Sequence, residues 1–435
     1  MARITMLGAG SEFTAALMQD IMLIDGLNGG VINLIDIDPR RLDISTRWVK
    51  ALAARIGGKW EINASTERRK LLKGSDYIIN CIEVSGTKTV AIDYNVPKKY
   101  GIDQCIGDTI GPGGIFKALR TVPAWLEIIR DVERLCPNAM ILNYTNPMSM
   151  MTLAAVRSTD AAVVGLCHSV QGTAARLARY MGIAPEKLQY RCAGVNHMAW
   201  FTELKYNGRD VYPRLFKAAA KKDIYEQDPV RFDMMLHMGA FVTESSGHFS
   251  EYVPYYRKRK DLLKKFMRPR YLGESGFYSK NWPKWRRETD AKRLRDLKNA
   301  ASIDIHRSHE YAAVIIEAHQ TNKPALIYGS VLNGGLIENL PSDGVVEVGV
   351  TITGNGLAPC KFGRLPAHLA ALCGSNMAVF ECAVNGILNS DKDAIYHAMM
   401  LDPLAAAVCS PSEIAKMTDE MARNEKDYIP KFMTK

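Results

Sequence analysis

The residues that most constrain the fold lie near the start of the chain, where the apolar run 4–7 leads into the turn Gly8-Ala9-Gly10-Ser11. A glycine turn between a strand and a helix is the setting of the dinucleotide-binding fingerprint. Its first glycine permits the tight turn, its second lets the backbone approach a pyrophosphate, and the helix N-terminus supplies amide donors. Phe13 stands where the third glycine would fall. We therefore predict that Gly8, Gly10 and Ser11 contact a dinucleotide, although this short motif needs support from other residues.

Asp36 gives that support. It follows the second apolar run, residues 31–35, where the fingerprint has an acidic residue that accepts hydrogen bonds from ribose hydroxyls. A carboxylate there repels a 2′-phosphate, so Asp36 favours NAD over NADP. The other interpretation is that Asp36 caps a helix that begins near Pro39.

The first 195 residues alternate between short apolar segments and amphipathic ones. The strand candidates are residues 4–7, 31–35, 77–82, 140–143 and 163–166, and the helix candidates include 115–135 and 172–181. This alternation predicts an α/β fold, a doubly wound parallel sheet with helices on both faces. After residue 195 the rhythm changes, with strands expected at 198–206, 325–329 and 345–352 and helices at 228–238 and 365–388. We predict two lobes, a nucleotide-binding domain over 1–195 and a mixed α+β domain over 196–435.

Composition limits the class of protein. The first residues have no signal-peptide architecture, and no apolar run stands out as long enough to span a bilayer. The nine cysteines are odd in number and irregularly spaced, which is not a disulfide framework. We expect a cytoplasmic protein with no membrane partner, in a reducing setting that keeps thiolates available as metal ligands.

The net charge of +10 is concentrated in residues 257–260, 264–265 and 284–298. The last stretch interleaves acidic residues with its bases, which is typical of a solvated helix. No nucleic-acid-reading motif accompanies the charge, so we expect no nucleic-acid partner. A further interpretation is that part of the charge attracts an acidic substrate or the phosphates of a cofactor.

Two segments near predicted strand ends carry polar side chains. Segment 107–120 is rich in glycine and ends at Arg120, and Asp108 and Thr109 can project from its bend, although a turn with an N-cap would look the same. Asn146 follows the strand candidate 140–143 at the carboxyl edge of the sheet, where open α/β folds bind ligands. Its amide could bind sugar hydroxyls, or Asn-Pro could be simple turn chemistry.

Cys167 and His197 are candidate metal ligands. Cys167 ends the next strand at the same edge, and a thiolate with an imidazole suits Mn, Fe, Co, Ni or Zn. The alternative is a small buried thiol and a hydrogen-bonded core histidine. Residues 243–252 then bring together Glu244, His248 and Tyr252, any of which could be a general base.

With these segments taken together, the chain resembles the family-four glycoside hydrolases, which depend on NAD and a divalent metal. The motifs that carry the resemblance are residues 7–11, 107–120, 143–148, 165–173, 193–198, 243–252 and 334–341. Segments 167–171, 243–246 and 331–341 are most similar to the bacterial α-galactosidase branch. The resemblance implies a nucleotide domain like that of lactate and malate dehydrogenases.

The resemblance also implies a reaction driven by oxidation. NAD takes hydride from C3 of the sugar, a base removes the acidified C2 proton, and the aglycone leaves by elimination with help from an acid. Water then adds and the hydride returns. By motif position Asp108 would be the acid, Glu244 the base in preference to Tyr252 and His248, and Cys167 and His197 would hold Mn²⁺. The expected sugar contacts are Asn146, Arg120, His168 and His248.

The chain departs from the phospho-glycosidases of the family in one informative place. Those enzymes have an arginine after the strand candidate 77–82, where it meets the sugar phosphate, and this chain has Glu83 nearby. Glu83 would repel a phosphate, so we expect an unphosphorylated α-galactoside as substrate. The resemblance also implies a homodimer or homotetramer.

Three other functions are compatible with the sequence. An α-glycosidase for a uronic acid or another hexose is favoured by Arg257, Lys258 and the positive charge. A 2-hydroxyacid dehydrogenase could share the fold, although its arginine-flanked histidine motif is absent from the sequence. The third is an NAD-binding protein without catalysis, in which Cys167 and His197 only pack.

Overall fold

The computed structural model of the chain describes residues 1–308 and 310–434. The strands in chain order are β1 Arg3–Leu7, β2 Gly29–Ile35, β3 Lys59–Ser65, β4 Tyr77–Asn80, β5 Met140–Asn143, β6 Val163–Gly165, β7 Gln189–Val195, β8 Met198–Tyr206, β9 Arg209–Asp210, β10 Phe241–Val242, β11 Ala325–Leu332, β12 Val345–Thr353 and β13 Gly356–Pro359. The α-helices are α1 Phe13–Met22, α2 Pro39–Ile56, α3 Val90–Lys99, α4 Gly111–Leu135, α5 Met148–Val156, α6 Ser169–Met181, α7 Tyr212–Ala219, α8 Lys222–Tyr225, α9 Pro229–Met238, α10 Ser246–Phe249, α11 Lys260–Phe266, α12 Phe277–Lys298, α13 Tyr311–Thr321, α14 Ala367–Asn389, α15 Lys392–Leu401, α16 Pro403–Val408 and α17 Pro411–Asn424.

The first six strands form a parallel sheet in the order β3-β2-β1-β4-β5-β6. This is the strand order of the doubly wound dinucleotide-binding fold, and it confirms the predicted fold class. The order reverses between β1 and β4, and ligands in such sheets bind outside the carboxyl ends of the strands at that reversal. Gly8, Asp36 and Asn146, which follow β1, β2 and β5, therefore lie at the same edge.

Sequence inspection missed β3 and extended β4 by two residues. Strand β3 is at the edge of the sheet and keeps exposed and half-buried residues, so it lacks the continuous apolar run of the interior strands. Strand β4 ends at Asn80 because residues 81–86 leave the sheet and line a cavity at its carboxyl edge.

The mixed second lobe continues the same sheet. Strand β11 runs antiparallel to β6, with Ser330 opposite Gly165, and β12, β7, β8 and β10 extend the sheet from there by antiparallel pairing. At the junction with β7, Glu347 of β12 lies opposite Gly194. The loop between β7 and β8 is thereby held at the sheet, and it carries Asn196 and His197.

Helix α14 has the length and apolar composition of a membrane span, and half of its most apolar window is buried in the protein. The sequence predicted this helix at 365–388 but not its span-like composition, because Asn376, Glu381 and Asn385 interrupt the apolar run. The helix packs against α4, α5 and α15, and this packing accounts for its apolar composition.

Candidate active site

The glycine turn is fixed by close backbone contacts. Gly8 has φ 75°, and a Cβ at this position would lie 2.3 Å from the carbonyl oxygen of Cys81. A Cβ at Gly10 would lie 2.8 Å from a carboxylate oxygen of Asp36. No side chain fits at either position without displacing these neighbours, so the close packing of the turn requires glycine at both.

Asp36 ties the turn to the end of β2. It accepts hydrogen bonds from the N–H of Gly10 at 2.7 Å and from the N–H of Asp38 at 2.8 Å. The cap of α2 is Asp38, which accepts from the N–H groups of Arg40 and Arg41, so Asp36 is not that cap. Each carboxylate oxygen of Asp36 keeps a lone pair for a ribose hydroxyl.

A cavity of about 590 Å³ runs along the carboxyl edge of the sheet. We call the part lined by Gly8, Ser11 and Asp36 its nucleotide end and the part lined by Asp108, Lys117 and Asn146 its chemical end. A cavity of this size is in the range of cofactor and ligand sites. Gly8, Ser11, Asp36, Asp108 and Asn146 thus face one continuous space.

The loop that carries Asp108 is held by a buried carboxylate, Glu251. Glu251 accepts hydrogen bonds from the backbone N–H groups of Cys105 at 2.6 Å, Ile106 at 2.7 Å and Gly107 at 3.0 Å. Sequence reasoning missed this role, although residues 243–252 stood out for their density of polar groups. The distance of 144 to 146 residues between donors and acceptor leaves no local signal.

Asp108 belongs to a buried charge triplet at the chemical end. The ammonium of Lys117 lies 3.0 Å from Asp108 and 3.2 Å from Glu83. Burial disfavours ionisation of Asp108, but the charges of Lys117 and His248 outweigh it and hold the pKa of Asp108 below its usual range. Burial raises the pKa of Glu83, and Lys117 offsets only part of that rise. Lys117, which sequence reasoning missed, therefore holds a proton between two carboxyl groups.

Beyond Asp108, three donor groups converge in what we call the metal cluster: Cys167, His197 and Glu244. Their ligand atoms all lie within 4.8 Å of one another. His197 Nε2 is 3.4 Å from Cys167 Sγ and 3.5 Å from a carboxylate oxygen of Glu244. His197 and Glu244 both have left-handed backbone, with φ 65° and 73°, which is uncommon for residues with side chains and is concentrated at functional sites.

The protonation states of the cluster suit a divalent cation. Burial and the neighbouring His248 lower the pKa of His197 to about 3, so its imidazole is neutral. Burial opposes ionisation of Glu244, but His197 and His248 hold the pKa of this carboxyl well below its usual range. Burial and the charge of Glu244 raise the pKa of the Cys167 thiol, so a cation would displace its proton on binding.

Tyr252 and His248 contact residues of the metal cluster. Tyr252 OH lies 3.3 Å from His197 Nδ1, the nitrogen that points away from Cys167 and Glu244. His248 Nε2 lies 2.8 Å from Thr109 Oγ1, and His248 Nδ1 lies 3.4 Å from Glu244. Burial raises the pKa of Tyr252 well above its usual range, so its phenol stays protonated. Such contacts fix the ring orientation of a metal-binding histidine.

Glu347 is a further buried carboxyl behind the cluster, and sequence reasoning did not select it. It has no exposed surface, and burial raises its pKa to about 8. The sequence pattern of β12 could have indicated this residue. Val346, Val348 and Val350 lie on one face of the strand, and Glu347 lies on the opposite face.

The comparisons with known proteins agree with this geometry. The model of the Family 4 glycosyl hydrolase matches residues 3–183, and that of the Family 4 glycosyl hydrolase C-terminal domain matches residues 192–405. The chain belongs to family 4 of the glycosyl hydrolases. The resemblance drawn from the motifs is confirmed, and so is the prediction of a glycoside hydrolase.

The family 4 relatives match nearly end to end. An α-galactosidase from Bacillus subtilis is 39% identical over 99% of this chain and 100% of its own length. An α-galactosidase from Rhizobium meliloti is 36% identical over 99% of this chain and 89% of its own length. An α-galacturonidase from Thermoanaerobacterium saccharolyticum is 28% identical over 98% and 96%.

The solved structure of a 6-phospho-α-glucosidase from gut microorganisms, in complex with NAD and Mn²⁺, shares the fold. It superposes with a TM-score of 0.84 over 99% of this chain and 99% of its own, at 21% identity. Family membership favours a glycoside hydrolase over the 2-hydroxyacid dehydrogenase that would share the fold.

Two residues that sequence reasoning directed to the substrate, Arg120 and Arg257, are structural ion-pair partners in this family 4 chain. Arg120 is buried on α4, where it forms ion pairs with Asp93 and Glu425. It is not among the residues that line the cavity, so we correct its predicted substrate contact to a structural ion pair. The chain segments that hold it are 27 and 305 residues away, which the sequence could not indicate.

His168 is exposed at the start of α6, next to Cys167 and with its ring 3.6 Å from Glu310, and its predicted substrate contact stays a prediction. Arg257 is buried, pairs with Asp103 and donates to the carbonyl oxygen of Gly273. The basic residue that favoured a uronic acid substrate is therefore a structural cation.

Proposed function

We propose that this family 4 enzyme is an NAD- and Mn²⁺-dependent α-glycosidase that acts on unphosphorylated α-galactosides. The observation that carries the proposal is the placement of a dinucleotide turn, a buried acid–base triplet and a three-donor metal cluster along one sheet edge. The sugar is supported by the α-galactosidases at 39% and 36% identity, which are closer than the α-galacturonidase at 28%.

The residues fit both groups that the family implies. Gly8 and Gly10 allow the close-packed turn of the dinucleotide fingerprint, and Asp36 offers acceptors for ribose hydroxyls. Cys167 and His197 present a thiol and a neutral imidazole, which suit a divalent transition metal, and Glu244 lies beside them. When bound, NAD would supply a reversible hydride acceptor and Mn²⁺ a Lewis acid beside the sugar hydroxyls.

In this proposal the chemical end moves protons. We assign the removal of the C2 proton to Glu244, which lies 3.5 Å from His197 in the metal cluster. Tyr252 orients His197 through its hydroxyl. Asp108 accepts a hydrogen bond from the Lys117 ammonium at 3.0 Å, and we assign to this pair the delivery of a proton to the leaving oxygen. Asn146 and His248 are proposed to bind sugar hydroxyls.

Glu83 sets the proposed preference against phosphorylated sugars. It lines the cavity beside Asp108, and its only ion-pair partner among the described residues is Lys117. A dianionic 6-phosphate at this position would meet two carboxyl groups and one shared ammonium.

The test is release of p-nitrophenol from the α-galactoside under reducing conditions, with NAD⁺ and Mn²⁺ each present or omitted. We expect activity that needs both and no net NADH. Activity that is indifferent to both would refute the mechanism. Faster hydrolysis of the 6-phospho-α-galactoside would refute the role of Glu83, and faster hydrolysis of the α-galacturonide would replace the sugar.

We also propose a boundary near residue 195 and a cytoplasmic homodimer or homotetramer. The two family models meet between residues 183 and 192, and all nine cysteines are free, as in a reducing compartment. Light scattering of the purified chain would give the assembly, and a monomer would refute that part.

A further inference from the structure

Helix α12 carries the basic stretch 284–298 that the proposed function leaves unused. One face of this helix is turned toward the nucleotide end. Tyr278, Trp282 and Arg286, spaced four residues apart, line the cavity. Asp290, four residues further, lies 3.2 Å from Arg41, another residue of the cavity wall. The spacing keeps these residues on one stripe of the helix.

Arg293 continues the stripe and fastens the helix to the glycine turn. Its guanidinium donates to the carbonyl oxygen of Ser11 at 2.5 Å and to Ser45 Oγ at 3.0 Å. Arg293 is buried, and these contacts fix the position of α12 over the turn. Arg286 lies seven residues earlier, about 10 Å along the same face.

Arg286 differs from the other arginines of this face because it has no acidic partner. Arg41 pairs with Asp290 and Arg293 bonds the turn, whereas Arg286 forms no ion pair or hydrogen bond within residues 1–308 and 310–434. Its guanidinium lies above the Trp282 ring at 5.6 Å, and a Cβ on Gly86 would be 3.0 Å from Nη1. Burial and the charge of Arg41 lower the pKa of Arg286, and the carboxylates of Glu83, Asp36 and Asp290 offset only part of this fall.

We propose that Arg286 binds the pyrophosphate of the dinucleotide, with α12 as the wall that closes the nucleotide end. This inference rests on the proposed NAD dependence and adds a ligand-binding residue from the second lobe. A guanidinium presents several donors in a fixed plane, which suits two phosphate oxygens. Ser11, Glu12 and Phe13, around the start of α1, line the cavity, so the N-terminus of this helix would face the same pyrophosphate from the other side.

The chain offers a matched control. Arg287 is the next residue of α12 and is exposed to solvent. We would compare Arg286→Met with Arg287→Met by isothermal titration with NAD⁺, ADP-ribose and adenosine, without substrate. Arg286→Met should weaken NAD⁺ and ADP-ribose roughly 10- to 100-fold. It should leave adenosine, which has no phosphate, unchanged, and Arg287→Met should change none of the three.

A second variant guards against misfolding. Arg286→Lys keeps the charge and most of the side chain but loses the planar fork, so it should weaken NAD⁺ less than Arg286→Met does. Equal affinity of wild type and Arg286→Met for NAD⁺ would overturn the inference, and so would equal weakening of adenosine. A wild-type chain that binds neither NAD⁺ nor ADP-ribose would instead overturn the proposed function itself.

Discussion

At the nucleotide end of the cavity the ligand-facing groups are mostly backbone, set by Gly8 and Gly10 within a few residues of each other, whereas the chemical end is assembled from side chains far apart in the chain. Asp108, Cys167, His197 and Glu244 come from four different loops. Their positions depend on buried partners such as Glu251 and Lys117. The glycine turn is thus largely a local motif, to which α12 is proposed to add Arg286, whereas the chemical end depends throughout on the tertiary structure.

Cys167→Ala should have the largest effect, and it should impair the chemical end without changing the nucleotide end. Loss of a ligand from the metal cluster should lower kcat/KM on the order of 10³-fold or more. Even the loss of a residue that only hydrogen-bonds to a metal ligand lowers metal affinity or activity about 10- to 100-fold. NAD⁺ affinity should not change. Titration would measure the affinities for Mn²⁺ and NAD⁺, and an activity assay would measure kcat/KM. Cys382→Ala is the control at a cysteine away from the cluster. Normal Mn²⁺ affinity in the variant would contradict the metal cluster.

Glu244→Gln sharpens the assignment within the chemical end. A base that cannot accept a proton should lower kcat roughly 10²- to 10³-fold while Mn²⁺ affinity stays near normal. Loss of Mn²⁺ affinity would instead make Glu244 the third metal ligand, since it lies 3.5 Å from His197. Exposed Glu186→Gln serves as the control, with exchange of the C2 proton into D₂O as the direct readout.

Gly10→Ala is the reverse experiment at the nucleotide end. The added methyl would lie 2.8 Å from Asp36 and should weaken NAD⁺ roughly 10- to 100-fold, since overpacking costs about 1–3 kcal/mol. Mn²⁺ affinity should be unchanged. Gly374→Ala on α14, where a Cβ meets open space, is the matched control. If both ends weaken together in Gly10→Ala, the two ends are not independent.

Glu251→Gln tests the support of the Asp108 loop. An amide in place of the carboxylate loses charge-assisted bonds to three backbone N–H groups and sets a donor against one of them. We expect a loss of about 2–4 kcal/mol in the free energy of unfolding. Urea denaturation would measure it against exposed Glu133→Gln. A stability equal to that of wild type would mean that the loop holds without Glu251.

A prediction on stability alone concerns Asp402, which is fully buried near Gly111 under the same loop. Burial raises the pKa of Asp402 to about 7 from its usual 3.8. The folded state then binds more protons than the unfolded state between these values, so stability falls as pH rises from about 4 to 7. Asp402→Asn should remove this decline, worth a few kcal/mol. Parallel slopes for both proteins in urea melts at pH 4.5 and 7.5 would contradict it.

The sequence by itself determined the fold class, the glycine turn, the acidic residue at the end of β2 and the two candidate metal ligands at strand ends. These features are local, because strand period, turn chemistry and edge position are set by neighbouring residues. The family motifs then placed Asp108 and residues 243–252 in one site.

Only the tertiary structure decided which charges face the ligand and which hold the protein together. Arg120 and Arg257 looked like substrate residues and are buried ion-pair partners, while Lys117, Glu251, Glu347 and Arg286 drew no prediction individually. A charged side chain takes its role from what lies within about 4 Å of it, and here those neighbours come from up to 305 residues away. No pattern along the chain encodes that proximity.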